Sequence, residues 1–335
     1  GHPDLNNLAV DLSKVHSVAI FGQGNVALDC ARVLLKDVNS LSATDISQRA
    51  VEELKKSAVE RVYLIGRRGP AQMAATPKEL RELLFSIQNI RPSIVATPRG
   101  DNGDVMQLTE RDSQEIQSTR VRRRVYETLS KVGKERVEDQ SEPIRDLNIQ
   151  FFSRPLRFMG IENGSVTAVE LEHVMWEEKA EKDHSMRRSL KPTGMATTLD
   201  CQLVIKSIGY NALPVDGVPY EARSSLVQHD GTGRVHTPSR GIGGLYACGW
   251  LKRGPTGIIG TNIQCAEETV QSVFEDLQEY LTHEGIVPYS SQENRHAIDP
   301  LMDYIQQRKL VTVSKEVLSP AYTTCSATPL DMLSN

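Results

Sequence analysis

Residues 17–21 (Ser-Val-Ala-Ile-Phe) run straight into Gly22-Gln23-Gly24-Asn25-Val26-Ala27. Ala27, Cys30, Ala31, Leu34 and Leu35 then recur at helical spacing. A β-rich run, the pattern G-x-G-x-x-G/A and an immediate helix leave few folds open. The first glycine permits a tight turn and the second lets the backbone approach a pyrophosphate. The small third residue lets the helix pack close to the strand. The helix start then offers free N–H groups and a partial positive charge to phosphates. A bland glycine turn is the competing explanation, but the flanking strand and helix favour a nucleotide loop.

The next strand candidate is 61–65 (Arg-Val-Tyr-Leu-Ile), after an insertion over 37–60 with one further helix near Ile46–Lys56. Strand, helix, strand within 65 residues reads as a βαβ unit on a parallel sheet, an α/β fold of Rossmann type. The second strand decides which nucleotide is bound. An NAD site places Asp or Glu at its end for the ribose 2′-hydroxyl. Here the strand ends Gly66-Arg67-Arg68-Gly69, and two guanidiniums suit a 2′-phosphate, so NADP(H) is expected. A solvated basic turn is the alternative.

Further along, 93–112 reads as a surface loop and 113–132 as a helix with Val121, Val125, Leu129 and Val132 on one side. Residues 133–146 are a charged linker. Strands are expected at 148–158, 165–177 and 201–209, with a hairpin signal at Asn163-Gly164 and a polar insert at 178–198. After Tyr210 a Pro/Gly-rich stretch suggests a domain boundary. Residues 244–249 read as a last buried strand, followed by a Gly-rich turn and a long helix over 258–281.

Composition narrows the function classes. The 335 residues carry 39 Lys+Arg against 43 Asp+Glu, a net charge of −4, which argues against a nucleic-acid-coating protein. No stretch nears the ~18 uninterrupted apolar residues of a membrane span. The opening Gly1-His2-Pro3 shows no targeting pattern. Cys30, Cys201, Cys248, Cys265 and Cys325 form no CxxC pair, and the histidines lack metal-ligand spacing, so neither a disulfide framework nor a metal is expected.

Two features stay ambiguous on residues alone. Thr76-Pro77-Lys78-Glu79 is a capping box with Pro at the first helical position, which competes with a cofactor role for Glu79. Trp250-Leu251-Lys252-Arg253-Gly254-Pro255-Thr256-Gly257-Ile258-Ile259-Gly260 holds three glycines and an aromatic side chain before a helix. It suits either a flat ligand lying close to the backbone or a structural strand-to-helix turn.

At these residues the chain resembles the adrenodoxin reductase family, the mitochondrial-type ferredoxin–NADP⁺ reductases. The matching words are Gly22-Gln-Gly-Asn-Val-Ala-Leu-Asp29, Gly66-Arg-Arg-Gly-Pro70, Lys78-Glu-Leu-Arg-Glu82, Ser207-Ile-Gly-Tyr210 and Cys248-Gly-Trp-Leu-Lys-Arg-Gly-Pro-Thr-Gly257, in family order over about residues 1–312. The wording near Gly257–Val270 is similar to plant members. The resemblance implies an NADP domain inserted in an FAD domain: residues 1–210 the NADP-binding domain with its leading linker, 211–313 the C-terminal part of the FAD domain, and 314–335 an atypical, disordered tail. The cofactors implied are FAD and NADP(H). Gln23, Gly24, Asn25 and Val26 match the pyrophosphate loop, Arg67 and Arg68 the 2′-phosphate pair, and Glu79 a further NADP contact. Trp250, Gly257, Ile258 and Ile259 match FAD contacts, with Gly257 also near the nicotinamide. Asp29 matches an acid near the nicotinamide, against the simpler role of a dipole-favoured acid at a helix start. Arg81, Arg120 and Arg124 match basic docking positions for an acidic, adrenodoxin-like [2Fe-2S] ferredoxin, with Lys252 and Arg253 as weaker candidates. Arg120, Arg123 and Arg124 share a flank away from the Val121/Val125/Leu129 stripe. The implied location is the mitochondrial matrix, with peripheral inner-membrane association left open.

The family's leading strand–GxGxxG–helix unit, which binds the FAD adenosine diphosphate, has no counterpart here. Two expectations follow. One is an NADPH:ferredoxin oxidoreductase read from part of its chain. The other is a non-enzymatic NADP-binding module unable to hold FAD.

Overall fold

The computed structural model describes residues 10–95, 97, 106–132, 145–160, 165–180, 186–235, 245–255, 257 and 259–284. The chain divides into two compact units, Gly1–Tyr210 and Asn211–Asn335.

The first unit is built on β1 (Ser17–Phe21), all five residues of which are buried. Burial on both faces explains why it reads as one apolar run rather than an alternation. Val18 and Ile20 join a core with Ala27, Leu28, Ala31 and Leu35 of α1 (Asn25–Leu35), whereas Ala19 and Phe21 join a second core with Val169, Leu171 and Cys201. One face of the sheet is therefore covered by helices and the other by an antiparallel ribbon. The parallel sheet has order β3-β4-β2-β1-β8, with β2 at Arg61–Ile65, β3 at Ile90–Val95, β4 at Arg145–Gln150 and β8 at Leu203–Lys206. All four of its pairings are parallel. This is the expected Rossmann-like α/β core.

Between β1 and β2 lie α2 (Val38–Ser42) and α3 (Gln48–Lys55), the latter near its predicted position. Several other expectations need correction. Residues 90–95 form an edge strand, so the loop expected from 93 begins later. The helix expected over 113–132 is two helices, α5 (Glu110–Ser118) and α6 (Arg120–Leu129), broken at Thr119. Thr119 has extended backbone, and its hydroxyl caps α6 by accepting from Arg122 N–H. A Thr that satisfies an orphan helix donor favours a new start over continuation. Val121, expected on the same stripe, is 52% exposed, whereas Val125 and Leu129 join the core.

The strand expected at 148–158 is split between two sheets. β4 ends at Gln150, Phe152 takes φ 53°, and β5 (Ser153–Gly160) starts the antiparallel ribbon β5-β6-β7. β6 is Val166–Ala180, and the polar insert expected at 178–198 is mostly β7 (Met186–Asp200). Cross-strand pairing with β6 outweighs its polar composition. Asn163-Gly164 lies outside the described residues.

The second unit holds two short antiparallel pairs. β9 (Tyr220–Glu221) joins β10 (Leu226–Val227), and β11 (Arg234–Val235) joins β12 (Leu245–Tyr246). The buried strand expected at 244–249 shrinks to β12, in which Leu245 is exposed and the buried side chain is the following Ala247. Helices α7 (Trp250–Arg253) and α8 (Ile259–Glu284) follow. The proposed tail, 314–335, lies outside the described residues. No helix among the described residues is long and apolar enough to cross a membrane.

Candidate functional site

The parallel strands end level with one another: Phe21 pairs with Ile65 and Lys206, and Gln150 pairs with both Ile65 and Val95. In open α/β sheets ligands bind beyond these carboxyl ends. Gly22 turns the chain there at φ 126°, and a side chain on it would overlap the Ser207 carbonyl. Gly24 is the N-cap of α1 and supplies no side-chain cap, and a Cβ on it would meet nothing within 4 Å. The start of α1 is thus left open to an anion.

The residues of this loop have distinct jobs. Gln23 is buried, and its Nε2 donates to the carbonyls of Leu64 (3.2 Å) and Gln150 (3.0 Å), tying β2 to β4 beneath the loop. Asn25 Oδ1 accepts from Thr76 N–H at 2.8 Å and fixes α1 to the start of α4 (Pro77–Arg81). Val26 is 48% exposed on the first turn, while Ala27 is fully buried against the sheet.

One strand over, the arginine turn is clamped by the β4–β5 crossover. Gly66 N–H donates to Gln150 O (2.8 Å), Ser153 N–H to Gly66 O (3.0 Å) and Phe152 N–H to Arg68 O (3.3 Å). A Cβ on Gly69 would lie 2.5 Å from the Phe152 ring, so glycine lets that ring close the turn. Arg67 and Arg68 are exposed, and among the described residues neither has an ion pair. Partial loss of hydration, then the charges of Arg67 and Arg122, push the Arg68 guanidinium below its usual range, with Glu115 opposing. Held cations without a counterion fit a polyanionic ligand, which is the chemistry a 2′-phosphate supplies.

The capping box at Thr76 is not made. Thr76 caps α4 without a side-chain hydrogen bond, and Glu79 pairs with Arg32 of α1 at 3.1 Å. Arg32 also holds Glu82 at 2.9 Å and Asp29 on its own helix. Burial works against the Arg32 charge, but the three carboxylates outweigh it and raise its pKa. Asp29 and Glu79 are thus brought into one ion-pair cluster beside the loop. Arg81, on α4, and Arg120 and Arg124, on the neighbouring α6, are all exposed, and Arg81 Nε donates to Pro77 O.

A buried network missed by sequence reasoning stands behind the arginine turn. Arg188 of β7 meets Asp112 at 2.7 Å and Glu115 at 3.4 Å and lies over the Trp176 ring, 4.2 Å from its centre. Gln72, just after the turn, donates to both carboxylates at 2.9 and 2.8 Å. Nothing in local spacing links residues 72, 112 and 188, so only the folded ribbon reveals the group.

In the second unit Gly249, Gly254 and Gly257 have φ of 65°, 80° and 90°. Residues with a side chain rarely adopt these conformations, so a structural reason for glycine exists at each beside any ligand role. Trp250 is half exposed, consistent with an aromatic wall, and Gly257 sits against Thr261 and Arg253. Ile259 opens α8, while Ile258 lies outside the described residues. Lys252 is buried and paired with Glu268 at 3.0 Å, which removes it from the docking candidates. Arg253 binds Asn262. Among the described residues no cluster of three or more His, Cys, Asp or Glu could hold a metal.

No protein-family model matches the chain. It is 42% identical over 287 residues to the mitochondrial NADPH:adrenodoxin oxidoreductase of Arabidopsis thaliana, covering 83% of this chain and 57% of that protein. It is 36% identical over 283 residues to the protein of the same name in Salvelinus fontinalis, covering 83% and 53%. Among solved structures, Mycobacterium tuberculosis FprA in complex with NADPH matches with a TM-score of 0.72 at 30% identity, over 88% of this chain and 60% of that one. The chain therefore spans rather more than half the length of these relatives.

Proposed function

The chain is a homologue of the adrenodoxin reductase family along most of its length, and on that premise we propose that it serves an NADPH:ferredoxin oxidoreductase reaction. The observation that carries the reading is the level placement of two features at the sheet's carboxyl edge. One is the open start of α1 behind Gly22 and Gly24, and the other is the clamped pair Arg67 and Arg68, without an ion pair among the described residues.

The backbone N–H groups of Gln23, Gly24, Asn25 and Val26 take the NADPH pyrophosphate, and Arg67 with Arg68 takes the 2′-phosphate. Glu79 and Asp29, both on Arg32, frame the same loop, with Asp29 the candidate for a group near the nicotinamide. Trp250, Gly257, Ile258 and Ile259 are the FAD contacts, Gly257 also serving the nicotinamide. FAD supplies the conversion of a hydride donor's electron pair into single-electron transfers. The protein's part in this scheme is to hold and orient, and the scheme requires neither a protein nucleophile nor a metal.

Arg81, Arg120 and Arg124 form the docking surface for an acidic [2Fe-2S] ferredoxin. A basic patch on a chain of net charge −4 suits steering of such a partner. The mitochondrial names of two relatives support a matrix location. They lend nothing to the non-enzymatic alternative.

The test is to purify the chain, record its visible spectrum and assay NADPH-dependent ferredoxin reduction. Flavin absorbance together with reduction is the expected result. A colourless protein that still binds NADPH overturns the reductase reading for this chain.

A further inference from the structure

We propose that Arg122 is a third guanidinium of the 2′-phosphate site, positioned from α6 and selecting phosphorylated over unphosphorylated adenosine ribose. The inference rests on the NADPH reading above and extends it to a residue 54 positions beyond Arg68.

Three observations carry it. The first is position. Arg122 Nη1 is 3.5 Å from Glu115 Oε2, and the same oxygen accepts from Gln72 Nε2 at 2.8 Å. Gln72 N–H in turn donates to Gly69 O, the residue after Arg68. A short chain of contacts thus sets Arg122 beside the arginine turn, and its charge reaches Arg68.

The second is orientation on the helix. At about 100° per residue, Arg122 lies about 160° from both Arg120 and Arg124, close to the direction of buried Leu129. Its side chain, 44% exposed, therefore lies off the flank of the docking arginines, at the edge of the packed face. Its backbone N–H bonds Thr119 Oγ1, which sets the helix start and hence this direction.

The third is charge balance. Glu115 is shared among Arg122, Arg188 and Gln72. One carboxylate divided among these partners leaves Arg67, Arg68 and Arg122 with an excess of positive charge. Clustered like charges are unfavourable unless an anion completes them. A dianionic phosphate would.

The test uses the full chain and two probes, 2′,5′-ADP and 5′-AMP, by isothermal titration calorimetry. Arg122→Gln is expected to weaken 2′,5′-ADP roughly tenfold, the scale of one charge-assisted contact, and to leave 5′-AMP unchanged. Arg122→Lys should recover part of the loss, and the salt dependence of 2′,5′-ADP binding should be shallower in Arg122→Gln. An unchanged 2′,5′-ADP affinity, while Arg67→Ala with Arg68→Ala abolishes the preference, overturns the role of Arg122 and leaves the NADPH reading standing. If neither variant changes the preference, the NADPH reading falls as well. Equal weakening of both probes by Arg122→Gln would overturn the proposal by making its role structural.

Discussion

Replacing Arg188 with Met should destabilise the first unit by about 3 kcal/mol at neutral pH. Arg188 and Asp112 have side chains only 5% and 7% exposed and meet at 2.7 Å. Burial pushes the Asp112 carboxyl up, but Arg188, Gln72 and Thr109 outweigh it and hold its pKa at about 2 rather than 3.8. That depression corresponds to about 2 kcal/mol, shared by Arg188 with Gln72 and Thr109. The stack on Trp176 adds about 1 kcal/mol. Met keeps the bulk of the side chain but leaves Asp112 buried with two neutral donors, the situation in which breaking a buried pair costs roughly 3–5 kcal/mol.

The sign with pH follows from the depressed pKa. The stabilisation is whole above the unfolded value near 3.8 and is lost as pH falls through about 2. The gap between wild type and Arg188→Met should therefore narrow between those pH values. Urea unfolding followed by tryptophan fluorescence reads it, with Trp250→Phe as background so that only Trp176 reports. A loss under about 1 kcal/mol at pH 7, or a gap independent of pH, would refute the reasoning.

Arg67→Ala with Arg68→Ala should lose preference for NADPH over NADH, and an unchanged ratio of kcat/KM for the two cofactors would remove the 2′-phosphate role. Gln23→Leu strips the donor from two buried carbonyls and should cost about 1–3 kcal/mol, seen as a lower Tm; an unaltered melt would show that Gln23 does not tie β2 to β4. Arg120→Glu with Arg124→Glu should slow ferredoxin reduction at low salt while leaving NADPH affinity alone. Equal rates at low ionic strength would relocate the docking surface.

The dinucleotide loop was legible because its demands are local. A tight turn, a close backbone approach and a small packing residue must fall within six positions, and Gly22, Gly24 and Ala27 meet them. The arginine turn was legible because the βαβ order places the end of β2 beside the end of β1. The glycines after Trp250 were harder to read: positive φ at Gly254 and Gly257 gives both a conformational reason to be there, and a ligand role for Gly257 needs the test proposed above. Thr76 and Glu79 looked like a capping box, yet Arg32, some 47 residues away in sequence, takes the carboxylate instead.

By itself, then, the sequence determined the parallel α/β core, the glycine loop that opens α1 and the arginine turn that ends β2, since each depends on short-range order and side-chain chemistry. Tertiary structure alone decided the rest. It split 148–158 between two sheets, turned a polar insert into β7, buried Lys252 and brought Gln72, Asp112, Glu115, Arg122 and Arg188 behind one turn. Those outcomes depend on cross-strand pairing and on partners distant in the chain, which no local pattern encodes.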